Sequence, residues 1–156
     1  MPATQPVSEH SLEIRRTIAA PVEKVFDAFT KPEIMERWFT RGAKQNQVVK
    51  VTELDLRVDG RLMLEVTTPK GDVYRLACEY REFERPRRLV FTFVWVSHPG
   101  HGDSVVKVDL QPLGPSRTEV RFRQEEFLSA QARKDHEGGW IECFDVLEKE
   151  LPAFLE

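Results

Sequence analysis

Five turn signals, Asp59-Gly60, Lys70-Gly71, Arg85-Pro86, the stretch Pro99 to Gly102, and Gly114-Pro115, divide the middle of the chain into six short segments of β pattern. Glycine and proline at such places set the backbone angles that tight turns need. Connections this short join antiparallel neighbours only. One long helical pattern follows, with Trp140, Phe144, Leu147 and Leu151 at i, i+4, i+7 and i+11 and Glu142, Asp145 and Lys149 opposite. A meander with one apolar face and a single helix with one apolar stripe bury both when the sheet curls around the helix.

The inward faces can be assigned by parity. Tyr74, Leu76, Cys78 and Tyr80 share one side of their strand, as do Val106, Val108 and Leu110, and again Val120 and Phe122. Leu89 to Val96 is apolar on both sides, with Phe91, Phe93 and Trp95 on the bulkier one, which predicts cover on both faces, from an edge or a dimer contact. For the first hairpin, a loop of Val58, Asp59 and Gly60 sets Leu56 opposite Leu62 and Leu54 opposite Leu64, and predicts Gly60 at positive φ.

Ahead of the meander, Leu12, Ile14 and Ile18 describe a first strand that Arg16 interrupts. Ala20-Pro21-Val22-Glu23 then reads as a helix start, because proline there loses no needed N–H and an early glutamate suits the helix dipole. Val22, Val25, Phe26 and Phe29 form its buried stripe. Thr30-Lys31-Pro32-Glu33 repeats the signal, and Ile34, Met35, Trp38 and Phe39 belong to a second short helix. Residues 1–10, with Pro2, Pro6 and no periodicity, are expected to be a disordered leader before a single domain of residues 11–156. Ser129 is a candidate cap of the last helix, Pro152 predicts an end or kink near Leu151, and Gly138-Gly139 predicts a close approach by a neighbour.

Composition excludes some functions. The chain is 31% charged with a net charge of -3, and the basic run Arg85, Arg87, Arg88 sits beside Glu82 and Glu84, so no single-sign field suited to nucleic acid develops. No apolar run approaches the roughly eighteen residues of a membrane span, and residues 1–10 lack the features of a signal peptide. Cys78 and Cys143 stand far apart without metal or redox spacing, which fits buried thiols in a reducing compartment; a cytoplasmic location is expected.

Ala20 to Thr30, Trp38-Phe39, Asp55-Leu56-Arg57, Gly60, the stretch Tyr80 to Leu89, and Gly139-Trp140 together resemble the heat-shock-protein-90 ATPase activator homologues of the SRPBCC, or START-like, superfamily. The likeness runs from about Leu12 to Leu151. It implies an α+β helix-grip fold like that of birch-pollen allergen: a curved antiparallel sheet wrapped around a long C-terminal helix, with two short helices after the first strand closing one end of a hydrophobic pocket. It also implies a stress-response setting. Two departures stand out: family members commonly carry Gly-Gly where this chain has Asp59-Gly60, and glycine where it has Cys78, which alters the expected pocket wall. The additional N-terminal domain by which the eukaryotic activator engages its chaperone is not expected in a chain of this length.

No catalytic or metal constellation is evident. His98 and His101 flank Pro99-Gly100 near Asp103 but lack a closed ligand set, and read as solvated loop histidines. His136, one turn before Trp140, either points into the cavity mouth or is held by neighbouring structure. Tyr74 and Tyr80 serve equally as core or as pocket anchors, each offering one hydrogen bond at the end of an apolar body. Arg57 reads as the partner of Asp55 or Glu53. Trp38, Phe39, Phe93, Trp95, Trp140 and Phe144, with Leu64 and Leu76, either fill a core or line a cavity that a small apolar molecule enters. The leading expectation is non-catalytic binding of a small hydrophobic or amphipathic molecule, with no cofactor, by a monomer or homodimer. A chaperone-associated module is the alternative, and a polyketide cyclase-like enzyme using Tyr74, Tyr80 and His136 the remote one.

Overall fold

The computed structural model describes residues 4–8, 10–39, 47–96 and 103–154. In chain order the elements are β1 (Thr4–Ser8), β2 (Ser11–Ile18), α1 (Val22–Thr30), α2 (Pro32–Trp38), β3 (Val48–Leu54), β4 (Arg61–Thr67), β5 (Val73–Glu84), β6 (Arg88–Trp95), β7 (Ser104–Gly114), β8 (Arg117–Glu125) and α3 (Ala130–Phe154). The strands form one antiparallel sheet in the order β1-β2-β8-β7-β6-β5-β4-β3. It curls around α3, giving the helix-grip arrangement that the strand pattern and the resemblance both imply.

The inward residues follow the predicted parity. Leu12, Ile14 and Ile18 of β2, Val106 and Val108 of β7, and Val120 and Phe122 of β8 are buried in one core with Trp140, Phe144, Leu147 and Leu151 of α3. Arg16, which breaks the β2 pattern, reaches α3 instead, where its Nη1 donates to Asp145 at 2.9 Å and to Glu148 at 3.3 Å. The edge strand β3 is guarded by α2, since Glu36 accepts the Val51 amide at 2.9 Å. On β6, Leu89, Phe91 and Phe93 face inward, and Val90 on the other side is also buried within the single chain.

Several expectations are corrected. Thr4–Ser8 is not an unstructured leader but a strand, β1, pairing with β2 from Thr4↔Ile14 to Ser8↔Ser11. The β3–β4 hairpin pairs Leu54 with Leu62 rather than Leu64, because the connection runs from Asp55 to Gly60 and is longer than the loop predicted; a bulge between Val51 and Glu53 then sets Val51 opposite Leu64. The positive φ of its turn belongs to Asp59, at 68°, not to Gly60. Glycine is needed at Gly60 for space: a Cβ there would lie 2.1 Å from the Asp55 carbonyl oxygen and 2.9 Å from that of Arg57. Ser129 does cap α3, its Oγ accepting the Ala132 amide at 3.1 Å. Where an end or kink near Leu151 was expected, α3 runs through Pro152 to Phe154. Pro152 lacks the N–H that would bond the Glu148 carbonyl, so the helix continues there with one bond fewer. Gly138 meets no close neighbour, as a Cβ there would find nothing within 4 Å. His98, His101 and the Pro99 to Gly102 turn lie outside the described residues.

Candidate functional site

The predicted site residues divide into two groups on the inner face. The larger lies where α3 crosses β6, β7 and β8. Trp140 is its centre, with ring centroids 4.5 Å from Phe122, 5.7 Å from both Phe39 and Phe93, and 6.2 Å from both Trp38 and Phe144. Trp38 sits 5.3 Å from Phe144 and donates its indole N–H to the Ala28 carbonyl at 2.8 Å, which ties α2 to α1. These are ordinary packing distances for aromatic pairs. Trp38, Phe39, Trp140 and Phe144 therefore fill interior space as well as line it.

A buried polar chain runs through this group. The Trp140 indole donates to Gln124 Oε1 at 2.7 Å, Gln124 Nε2 donates to Ser104 Oγ at 2.8 Å, and Ser104 donates to the Phe93 carbonyl at 2.9 Å. Helix α3 is thereby bonded to β8, β7 and β6 in sequence. Gln124 and Ser104 are absent from the predicted set, although both occupy inward parity, Gln124 after Val120 and Phe122 and Ser104 before Val106 and Val108. A polar residue on an otherwise apolar inward row beside a tryptophan is the signal that finds them.

His136 lies at the edge of the same group, 5.8 Å from the Phe93 ring and 4.9 Å from that of Phe127. Its Nε2 accepts the Trp95 indole N–H at 3.1 Å, which places its hydrogen on Nδ1, 2.7 Å from the Ala132 carbonyl. Both nitrogens are thus engaged with the protein. A general base needs a lone pair free to take a proton, so the acid-base role considered for His136 requires the Trp95 bond to open first.

The second group lies on β4 and β5. Leu64 pairs with Leu76, and Leu62 with Cys78, all four buried. Tyr80 pairs with Phe91, after which a bulge carries the register to Glu82↔Val90. The extra residue lets Phe83 face inward as Tyr80 does, and their rings meet edge to face at 5.7 Å, with Phe91 6.0 Å from Tyr80. The main chain of Tyr80 is fixed on both sides by the β3–β4 turn: its N–H donates to the Gly60 carbonyl at 2.9 Å, and its carbonyl accepts the Asp59 amide at 2.8 Å. The side chain is fully buried, yet its hydroxyl has no hydrogen-bond partner among the described residues. Burial raises the phenol's pKa, with a smaller contribution from Cys78, and burial raises that of the Cys78 thiol. Both groups are neutral. Tyr74, at the start of β5, is only partly buried against the core.

Seventeen ion pairs occur among the described residues. Arg57 bonds Asp55 at 2.8 Å, the structural role expected of it. An open groove of about 410 Å³ mixes Arg87, Arg88 and Arg121 with Glu84, Asp109 and Glu119. Among the described residues, no cluster of three potential metal ligands occurs, and no helix is long and apolar enough to cross a membrane.

Solved structures share this architecture. A Chromobacterium violaceum protein superimposes with a TM-score of 0.82 at 23% identity, covering 92% of this chain and 98% of its own. An Arthrobacter aurescens protein gives 0.81 at 22% identity, covering 96% and 90% respectively, and one from Rhodobacter sphaeroides 0.76 at 24%, covering 96% and 97%. No curated protein matches the chain. Residues 19–152 match the family described as activator of Hsp90 ATPase homolog 1-like protein, a span that holds the helix pair, the β3–β4 turn, Tyr80 and Trp140, and the chain belongs to that family.

Proposed function

We propose that this chain binds a small hydrophobic or amphipathic molecule, without transforming it, between the concave face of the sheet and α3. One observation carries the reading: the inner faces of α2, α3 and the sheet present aromatic and aliphatic side chains to one another, and Trp140 alone touches five aromatic rings there. Such a lining favours apolar surface and gives little to stabilise a charged transition state. His136, the nearest acid-base candidate, is committed to Trp95 and Ala132.

Native mass spectrometry of freshly purified protein, compared with the denatured spectrum, tests the proposal and reports the oligomeric state. Extra mass that leaves on unfolding is the expected result. A ligand at about 100 times its dissociation constant adds roughly 2.7 kcal/mol of stability, which raises the melting temperature by several degrees. Protein that flies as the bare chain, and whose melting temperature a library of apolar compounds leaves unmoved, overturns the reading.

Family membership favours a second reading, a module that acts on a chaperone ATPase. Adding the purified chain to the chaperone and measuring its ATP hydrolysis decides it. An unchanged rate together with no co-purification removes that reading.

A further inference from the structure

All three tryptophans of this chain satisfy their indole N–H groups, through Ala28, His136 and Gln124. Ser104 and Gln124 are likewise bonded. Among the described residues three buried side-chain polar atoms lack a partner, Arg16 Nε, Arg123 Nε and the Tyr80 hydroxyl, and only Tyr80, 0% exposed, has no other polar atom on its side chain to bond instead. A phenol loses its water on burial and regains nothing unless another group meets it, so an orphan hydroxyl calls for a partner from outside the chain. Nor is its position loose. The Gly60 carbonyl and the Asp59 amide hold its backbone, and Phe83 and Phe91 pack edge to face on its ring.

We propose that the inward side of β5 at Tyr80 and Cys78 is the polar subsite of the binding face, where Tyr80 donates its hydroxyl hydrogen to a neutral carbonyl oxygen of a small, otherwise apolar molecule. The inference rests on the ligand-binding reading above and names the chemistry of its ligand. A carbonyl is favoured over a carboxylate by the surroundings. Leu62, Leu64, Leu76 and Phe91 supply apolar walls. The Cys78 thiol beside it and the phenol itself are both kept neutral by burial. Arg85 is separated from Tyr80 by two rings: its guanidinium lies 5.1 Å over Phe26, which packs 5.6 Å from Phe83, and it is bonded to Asp27 at 2.9 Å. A carboxylate would thus be buried without a counter-charge, whereas a ketone, aldehyde or ester oxygen takes the one hydrogen offered.

Three probes of nearly equal shape test the subsite: isopropylbenzene, acetophenone and benzoate, titrated calorimetrically into the wild-type protein and Tyr80→Phe. The expected result is that Tyr80→Phe weakens acetophenone about three- to tenfold, the worth of one neutral hydrogen bond, and leaves isopropylbenzene unchanged. Benzoate binds the wild type more weakly than acetophenone does. Equal affinity of acetophenone for the two proteins, as when a trapped water alone serves the hydroxyl, overturns the subsite. So does benzoate binding as tightly as acetophenone. In either case continued binding of isopropylbenzene leaves the broader reading standing, and binding of none of the three overturns both. A melting temperature of Tyr80→Phe at or above that of the wild type separates loss of the hydrogen bond from loss of the fold.

Discussion

The amide of Tyr80 donates to the carbonyl of Gly60 at 2.9 Å, so the turn between β3 and β4 and the inner face of β5 are parts of one rigid unit. Asp59 completes it by donating its own amide to the Tyr80 carbonyl while standing at a φ of 68°. Left-handed backbone is tolerated by aspartate better than by most residues, which is why the family's glycine is dispensable at Asp59. It is not dispensable at Gly60, where a methyl would press on the Asp55 carbonyl.

Gly60→Ala is accordingly predicted to destabilise by about 3 kcal/mol, because backbone and not a side-chain tip must yield. Gly138→Ala is the opposite case. It lies on an exposed part of α3 with open space around it, so the substitution adds helix propensity without a clash and should stabilise by about 1 kcal/mol. Urea midpoints of the two variants read both signs in one experiment.

Trp140 supplies both volume and a hydrogen bond, and two substitutions separate them. Trp140→Ala removes the indole from contact with five rings and should cost roughly 3 to 5 kcal/mol. Trp140→Phe keeps most of the packing but leaves Gln124 Oε1 without its donor in a fully buried place, for a cost of about 1 to 3 kcal/mol. Pairing Trp140→Phe with Gln124→Leu should recover part of that loss, since the orphaned amide is then gone, and a double-mutant cycle measures it.

The orphan hydroxyl of Tyr80 makes a contrary prediction. Phenylalanine there keeps the ring contacts with Phe83 and Phe91 and deletes a buried hydroxyl that has no hydrogen-bond partner among the described residues. Ligand-free Tyr80→Phe should therefore be more stable than the wild type by about 1 kcal/mol in equilibrium unfolding. A loss of stability would reveal a hydrogen bond made by the hydroxyl in the free protein.

The helix-grip outline was legible because its determinants are local: turn residues at regular intervals, period-two faces and one long amphipathic stripe. What escaped depends on partners distant in sequence. β1 carries Pro6 and no alternation, and exists because the free edge of β2 accepts it. The long connection from Asp55 to Gly60 displaced the predicted hairpin register, and the bulges after Val51 and Tyr80 each insert a residue that breaks parity, the second hiding that Phe83 joins Tyr80 on the inner face. Of the predicted site, the aromatic residues of α2, β6 and α3 do converge, since bulk and parity alone place them. Gln124 and Ser104 were missed because parity marks a residue as inward without revealing which inward polar group has found a partner.

The bond between Trp95 and His136 yields a prediction that needs no ligand. An indole nitrogen can only donate, so His136 Nε2 must carry the lone pair and Nδ1 the hydrogen, which it gives to the Ala132 carbonyl one turn earlier on α3. Long-range nitrogen-proton correlation spectra at neutral pH should show His136 locked in the Nδ1–H form, whereas free imidazole favours the other tautomer. Trp95→Phe removes the donor to Nε2, so the Nε2 resonance should move while Nδ1 keeps its hydrogen through the bond to the Ala132 carbonyl. Should the wild type show a protonated Nε2, the Trp95 bond does not form in solution. His136 would then regain the free nitrogen that acid-base chemistry at this end of the binding face requires.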